Sequence, residues 1–246
     1  MRNIRLFLSF DGTNYHGWQV QPNAITVQEV VSCAVSAVTG ETIKVVGCSR
    51  TDSKVHAKSY VCSFKTLSKI PAENLVFALN ANLPEDIVCV NADEVSEDFH
   101  AIASTISKRY IYKIENSKIP NPFLRNRVWN YKAPLDIKKM QEAAGYFLGT
   151  HDFLAFSAAG AQVKSTVRTI YEISVTKEDD IININVKGDG FLYNMVRIIA
   201  GTLVWVGLSK INPHDIPDII NSKKRENAGV TAPPQGLYLW EVEYDV

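Results

Sequence analysis

The chain lacks three features that would set it apart from ordinary globular proteins. Its longest apolar stretch, residues 195–208, is interrupted by Arg197 and two glycines and is too short to span a bilayer. Its four cysteines form no Cys-x-x-Cys pair and no Cys/His spacing typical of zinc. No apolar segment typical of a signal peptide follows Met1. We therefore expect a cytoplasmic protein with no membrane segment, no disulfides and no bound metal.

An excess of one charge is also missing, because 26 basic residues balance 26 acidic ones. The distribution is uneven, since residues 108–139 carry nine Lys and Arg side chains against only Glu115 and Asp136. Acidic residues collect elsewhere, at 94–98 and 178–180. A basic surface of this kind favours a nucleic-acid partner, but a solvated charged face explains the charge pattern equally well.

The 246 residues, 46% of them hydrophobic, suffice for one large domain or for two of roughly 100–130 residues. Hydrophobic periodicity in the first half predicts the order βαββαβ, and the second half repeats this order loosely. Thr26, followed three residues later by Glu29, predicts a capping box. We predict strands at residues 4–10, 43–46, 59–64, 87–95, 109–115, 128–131, 167–175, 181–186 and 237–244. We predict helices after Thr26 and Pro71, at residues 137–147 and 191–206, and after Asn212.

This element order predicts an α+β protein built from two split-βαβ, ferredoxin-like halves with mainly antiparallel sheets. The halves are expected at residues 1–104 and 105–246, around a basic cleft. The first half carries the charged turn described next.

Residues 49–57 form a charged turn between two strand-like runs. The turn packs Arg50, Asp52, Lys54 and His56 into seven residues. A guanidinium at close range lowers a carboxyl pKa by about 1–3 units, so Asp52 would stay ionised and could act as a nucleophile or a base. The plain alternative is a solvated turn with a surface ion pair.

A second run, residues 10–22, combines glycines, aromatic rings and amides. Trp18 could offer a stacking face, and Gln19 and Gln21 could offer amides to base edges or phosphates. The alternative is a strand-to-helix loop with a buried tryptophan.

Six segments between Phe10 and Tyr244 carry a family resemblance. They are FDGTNYHGWQVQP with TVQE, RTD with VHA, KRYIYKI, GTHDFLAFS, GDGFLYNMVRIIAG and APPQGLYLWEVEY. Together and in this order they resemble the TruA family of tRNA pseudouridine synthases. The resemblance implies the pseudouridine synthase fold, no cofactor, a tRNA substrate and a homodimer. It also implies that uridines 38, 39 and 40 of the anticodon stem-loop are isomerised to pseudouridine.

The resemblance also implies roles for individual residues. Asp52 matches the catalytic aspartate, which attacks the flipped uridine at the sugar C1′ or after glycal formation. Arg50 matches an arginine associated with nucleotide flipping, and Tyr110 a tyrosine that stacks on the target base. Arg197 matches the basic partner of the aspartate, and Leu192 an apolar residue of the pocket wall. The residues expected to bind substrate are Tyr110, Leu192, Lys54, His56, Trp18, Gln19 and Gln21.

The chain departs from the family pattern close to the aspartate. Ser49 replaces a common glycine, Ser53-Lys54 replaces Ala-Gly, and Ile102 stands where the family often has an arginine. If Lys54 needs a positive φ, its side chain costs on the order of 1 kcal/mol. This departure keeps a rival open, namely a tRNA-binding module without catalysis. A phosphate-processing enzyme is a remoter alternative, because no metal-ligand cluster accompanies Asp52.

Overall fold

The computed structural model describes residues 1–160 and 163–245, which form two compact units. The first unit contains Met1–Ile106 and the chain from Tyr238 onward, and the second contains Ser107–Leu237. The last strand therefore belongs to the first unit, although it is distant in sequence. The predicted boundary between residues 104 and 105 would place this strand in a different half from the strand at His56–Thr66 with which it pairs.

Five helices and ten strands are found in the described chain, with several short 3-10 turns between them. In order they are β1 (Arg2–Phe10), α1 (Val27–Thr39), β2 (Val46–Gly47), β3 (His56–Thr66), α2 (Ala72–Asn80), β4 (Ile87–Val95), β5 (Thr105–Glu115), β6 (Trp129–Asn130), α3 (Ile137–Gly145), β7 (Gly149–Asp152), β8 (Val167–Glu178), β9 (Ile181–Gly188), α4 (Met195–Gly207), α5 (Ile216–Ser222) and β10 (Leu237–Tyr244).

The first unit has the predicted order βαββαβ. Its strands lie in the order β4-β1-β3-β2, and all three neighbouring pairs are antiparallel. Each helical crossover passes over one intervening strand, which is the split-βαβ arrangement. β10 adds a short parallel pairing to β3, with Tyr238 opposite His56. These connections place the start of β3, directly after the Asp52 turn, beside the last strand of the chain.

The second unit also contains an antiparallel sheet, in the order β5-β9-β8-β7, with β6 parallel to β5 on its other side. β5 and β8 run parallel with β9 between them, so the connection through α3 again passes over one strand. α4 is the most deeply buried helix, since 11 of its 13 residues are buried. The predicted fold class, α+β with mainly antiparallel sheets, is confirmed in each unit.

Several local expectations differ from the structure. The predicted strand at 43–46 is reduced to Val46–Gly47, and β7 was not predicted. The helix predicted from Phe191 begins only at Met195, because Asn194 adopts a left-handed conformation with φ 62°. Asparagine tolerates the left-handed conformation better than most residues, and this conformation interrupts a right-handed helix.

The capping box predicted at Thr26 and Glu29 is wrong, because the Thr26 side chain makes no capping hydrogen bond. The carbonyls of Gly17 and Trp18 instead accept the amides of Val27 and Gln28, at 3.1 and 3.0 Å. The loop before α1 thus satisfies the amides of its first turn. This arrangement ties residues 17 and 18 to the helix.

Two absences apply to the described part of the chain. No helix there is long and apolar enough to cross a membrane. No group of three or more His, Cys, Asp or Glu side chains there could hold a metal ion.

Candidate active site

The Asp52 turn is held against the loop of residues 11–18, here called the clamp loop. The amide of Trp18 donates to the Thr51 carbonyl at 3.2 Å, and the amide of Lys54 donates to the Tyr15 carbonyl at 3.1 Å. The amide of Val55 closes the turn on the Asp52 carbonyl at 3.2 Å. Backbone hydrogen bonds on both sides of Asp52 therefore fix the conformation from which its half-buried side chain projects.

Close approach of the clamp loop to the turn requires glycine at residue 17. Gly17 has a φ of 83°, and a Cβ atom there would lie 2.3 Å from the Thr51 carbonyl oxygen and 3.0 Å from the Asp52 carbonyl carbon. Any side chain would therefore be strained by its backbone and would also collide with the turn. The glycine-punctuated sequence at 10–22 reflects this contact with the Asp52 turn.

Asp86 anchors the clamp loop from the start of β4. Its Oδ1 accepts the Tyr15 hydroxyl at 2.5 Å, its Oδ2 accepts the Asn14 side-chain amide at 3.2 Å, and its carbonyl accepts the Asp11 amide at 2.9 Å. Burial, and to a lesser extent the hydrogen bond to Asp86, raises the pKa of the Tyr15 hydroxyl well above its usual range. Asp86 is not among the predicted site residues, because it lies 34 residues after Asp52 and outside the six segments that carry the family resemblance.

His56 supports the turn from inside the unit. Its side chain is 2% exposed, its Nδ1 accepts the Gly12 amide at 3.1 Å, and Asp11 Oδ1 lies 3.1 Å from the same nitrogen. Its ring stacks on Tyr238, with ring centroids 4.7 Å apart. These contacts show that His56 packs beneath the clamp loop. Its expected role in substrate binding stays a prediction.

Trp18 occupies the position of a core tryptophan, which is the alternative that the sequence left open. Its side chain is 3% exposed and stacks on Tyr60 with ring centroids 4.2 Å apart. The Tyr60 hydroxyl in turn donates to the carbonyl of Ser49, at the base of the charged turn. These contacts give Trp18 a structural role at the base of the charged turn, and its expected contact with substrate stays a prediction.

The polar members of the predicted site lie at the surface of the first unit. Arg50, Lys54, Gln19 and Gln21 are exposed. Gln21 donates from Nε2 to the His16 carbonyl at 2.8 Å, which orients its amide. Lys54 adopts a φ of 65°, so the conformation for which the family pattern has glycine is kept here by a lysine. The four side chains are therefore accessible to a ligand approaching the Asp52 turn.

Thr51, between Arg50 and Asp52, has a buried hydroxyl. Its side-chain oxygen has no hydrogen-bond partner among the described residues. The hydroxyl thus contributes no bond that would hold the turn, and the backbone contacts of the clamp loop do so instead.

The other predicted site residues lie in the second unit. Tyr110, on β5, is 7% exposed and meets Phe191 edge-on with ring centroids 5.2 Å apart. Leu192 is 4% exposed and lies in the turn before α4. Phe191, which contacts Tyr110, and Leu192 lie just before the left-handed Asn194. The same turn therefore positions both side chains and leads into α4.

Arg197 lies in the first turn of α4 with its guanidinium fixed by two acceptors. Nε donates to the Ala232 carbonyl at 2.8 Å, and Nη1 donates to the Asn194 side-chain oxygen at 2.7 Å. The left-handed Asn194 thus also orients this arginine, a role not predicted from the sequence. The signal that could have revealed it is an asparagine three residues before the arginine at a helix start.

Comparisons with known proteins agree with the resemblance carried by the six segments. A family model described as tRNA pseudouridine synthase matches residues 7–102 and 143–245. A protein of Thermoanaerobacter sp. (strain X514) named "tRNA pseudouridine synthase A" is 53% identical over 99% of this chain and 100% of its own length. A protein of the same name from Ruminiclostridium cellulolyticum is 54% identical, also over 99% of this chain and 100% of its own length.

A solved structure, "Crystal Structure of a Cbf5-Nop10-Gar1 Complex", matches at a TM-score of 0.34 and 13% identity. The match covers 82% of this chain and 53% of that chain, and it is too distant to say more about this protein.

Proposed function

The chain belongs to the tRNA pseudouridine synthase family, and we propose that its target uridines lie at positions 38, 39 and 40 of the tRNA anticodon stem-loop. As a member of that family it is an isomerase that converts uridine in tRNA to pseudouridine. The observation that supports a catalytic turn is the fixed backbone on both sides of Asp52. Four exposed polar side chains lie in this turn, at Arg50 and Lys54, or directly after its clamp loop, at Gln19 and Gln21.

Asp52 is the nucleophile in this proposal. The N1–C1′ bond of the target uridine breaks, the uracil rotates within the site, and a C5–C1′ bond forms. The proton on C5 leaves to solvent and N1 regains one, so the reaction needs no oxidant and no cofactor. Asp52 either attacks C1′, forming a bond that breaks when C5 attacks C1′, or removes the C2′ proton to give a glycal and returns that proton as the C5–C1′ bond forms. Because the detached uracil stays in the site, recombination is effectively unimolecular.

Arg50 and Tyr110 have roles in making the base accessible. A base within a stem must be extruded, which costs a few kcal/mol. Stacking on an aromatic ring such as Tyr110 returns about 1–3 kcal/mol. Arg50, exposed two residues before Asp52, is suited to hold a phosphate or the vacated position in the stem. Leu192 contributes an apolar wall, and Lys54, Gln19 and Gln21 contribute contacts to RNA.

The pairing of Arg197 with the catalytic aspartate stays a prediction. Its support within the second unit is a guanidinium held by Asn194 and Ala232. An arginine orientated in this way is suited to keep a carboxylate ionised. Arg197→Gln should therefore lower kcat, whereas Arg197→Lys should retain part of it.

The proposal extends to assembly and location. A homodimer is expected from the family, and light scattering at several protein concentrations tests it. The cytoplasm is the expected location because it contains the tRNA substrate.

Tritium release from tRNA labelled with [5-³H]uridine tests the proposed function, because release requires loss of the C5 proton. Wild-type protein should release tritium and Asp52→Asn should not, while both bind tRNA. Asp98→Asn, an exposed aspartate of the same unit, is the matched control and should retain release. If wild type binds several unmodified tRNAs without release, the tRNA-binding module replaces the enzyme.

A further inference from the structure

The segment of residues 116–128, here called the basic loop, presents the two most exposed large apolar side chains of the described residues. Phe123 is 88% exposed and Ile119 is 81% exposed. Exposing a phenylalanine ring to water is unfavourable relative to burying it. None of the roles assigned above uses either side chain, so the exposed ring calls for a separate explanation.

The base of the basic loop is rigidly built around a buried carboxylate. Glu115 is 4% exposed, and its Oε1 accepts the Asn121 amide at 2.8 Å while its Oε2 accepts the Asn130 side-chain amide at 3.1 Å. Asn116 donates from its side chain to the carbonyls of Tyr131 and Ala133, at 2.9 and 2.7 Å. These bonds hold both ends of the loop on β5 and β6.

The tip of the loop is also ordered by local contacts. The Asn121 side chain accepts the Phe123 amide at 3.0 Å, and the Ser117 hydroxyl donates to the Ile119 carbonyl at 3.0 Å. Prolines at 120 and 122 restrict the backbone on either side of Asn121. Little conformational entropy would therefore be lost when a ligand covers Phe123.

Charge within the basic loop has a single sign, because residues 116–128 contain three basic side chains and no acidic one. The acidic residues 178–180 lie at the base of the loop, where the Asn116 amide donates to the Asp180 carbonyl at 2.7 Å. Lys118, Arg125 and Lys132 are exposed. A basic surface with an exposed aromatic ring on a rigid base is the combination that binds nucleic-acid strands, since cations contact phosphates and the ring stacks on a base.

We propose that the basic loop binds an unpaired nucleotide of the tRNA substrate, with Phe123 stacked on its base and Lys118 and Arg125 beside its phosphates. The proposal rests on tRNA being the substrate. An unpaired nucleotide is specified because only an unstacked base has a free face for an aromatic ring. The loop belongs wholly to the second unit, so this contact adds to those expected at the Asp52 turn.

A second copy of the chain is a weaker explanation of the exposed ring. If the loop lies on the axis of a two-fold interface, the cations of the two loops face each other. Like charges placed together in this way oppose association. A nucleic acid can stack a base on the ring and bind the cations through its phosphates.

Fluorescence anisotropy with a labelled, unmodified tRNA transcript tests the proposal. Phe123→Ala should raise Kd about 5- to 100-fold, because it removes one stacking platform. Phe123→Trp should bind like wild type, whereas Phe123→Leu should be weakened. The control is Phe77→Ala on α2, which removes another exposed ring (76% exposed) and should leave Kd unchanged.

Salt dependence separates the ring from the cations. Arg125→Gln should reduce the slope of log K against log salt by about 0.7–0.9, whereas Phe123→Ala should weaken binding without changing that slope. Lys177→Gln, an exposed lysine next to the acidic residues 178–180, is the control and should leave the slope unchanged.

Two results would overturn the proposal: Phe123→Ala binding tRNA as tightly as wild type, or Phe123→Leu binding as tightly as Phe123→Trp. A lower molar mass of Phe123→Ala in light scattering, with tRNA binding intact, would assign the ring to a second copy. Tritium release is measured in parallel with the wild-type protein. Release by wild type with unchanged binding by Phe123→Ala contradicts the loop proposal alone, whereas binding without release contradicts the proposed enzyme alone.

Discussion

The Tyr15 hydroxyl donates a 2.5 Å hydrogen bond to Asp86, while the carbonyl of the same tyrosine accepts the amide of Lys54. Tyr15 thus connects the start of β4 to the turn that carries Asp52. Through this residue, a carboxylate that is remote in sequence from the turn helps to set its position. We therefore expect Asp86 to act as a positioning residue through the clamp loop.

We predict that Tyr15→Phe lowers kcat more than it changes KM. Loss of a hydrogen bond to a charged group should also cost about 1.5–3 kcal/mol of unfolding free energy. Asp86→Asn, which keeps an acceptor for the hydroxyl, should lose less of both than Asp86→Ala. Steady-state tritium release and urea unfolding measure the two effects. Equal loss of kcat in the asparagine and alanine variants would contradict the positioning role.

Gly17→Ala should damage both stability and activity. The new Cβ combines a positive φ with a 2.3 Å approach to the Thr51 carbonyl, so we expect a loss above about 2 kcal/mol and a slower single-turnover rate. Gly40→Ala is the matched control, because Gly40 has a φ of 73° and open space around its Cβ position. It should cost about 1–2 kcal/mol with no change in rate. Equal rates for the two variants would show that the contact with the turn is unimportant.

Lys54→Gly should stabilise the protein by about 1 kcal/mol, because glycine adopts the φ of 65° without strain. The same change should weaken tRNA binding and reduce its salt dependence if the side chain contacts a phosphate. Lys65→Gly, in the extended backbone of β3, is the control and should destabilise the protein. Urea unfolding and tRNA anisotropy provide the two readouts, and a less stable Lys54→Gly protein would refute the strain argument.

Asp152 should make stability depend on pH in the acid range. Hydrogen bonds from Lys223, at 2.7 Å, and from Thr166 hold the pKa of this carboxyl below its usual value near 3.8. A depressed pKa adds stability that is complete above the unfolded-state value and is lost as pH falls through the folded-state value. Asp152→Asn should therefore cost up to about 1 kcal/mol at pH 7 and less at lower pH.

Urea unfolding at pH 7 and at pH 3 measures this effect. Asp98→Asn, at an exposed aspartate, should cost the same small amount at both pH values. A penalty for Asp152→Asn that does not shrink at pH 3 would show that the charge of Asp152 is not its source.

Sequence by itself determined the fold class, the order of most elements and the location of the charged turn around Asp52. Alternation and helical spacing report which face of each element is buried, and this information is local. Hydrophobic periodicity predicts a start for α4 that is too early, because the left-handed conformation of Asn194 leaves no periodic signal in the sequence. The cap of α1 was assigned wrongly because the carbonyls that satisfy its amides come from the loop before it.

Only the tertiary structure decided what holds the site in place. Asp86 and the Ala232 carbonyl act through contacts that span 71 and 35 residues, respectively. Trp18, whose sequence context allowed either a stacking face or a core ring, is placed in the core by stacking on Tyr60 of β3. Partners of this kind are chosen by how strands and loops pack in space, and the order of residues along the chain does not record that choice.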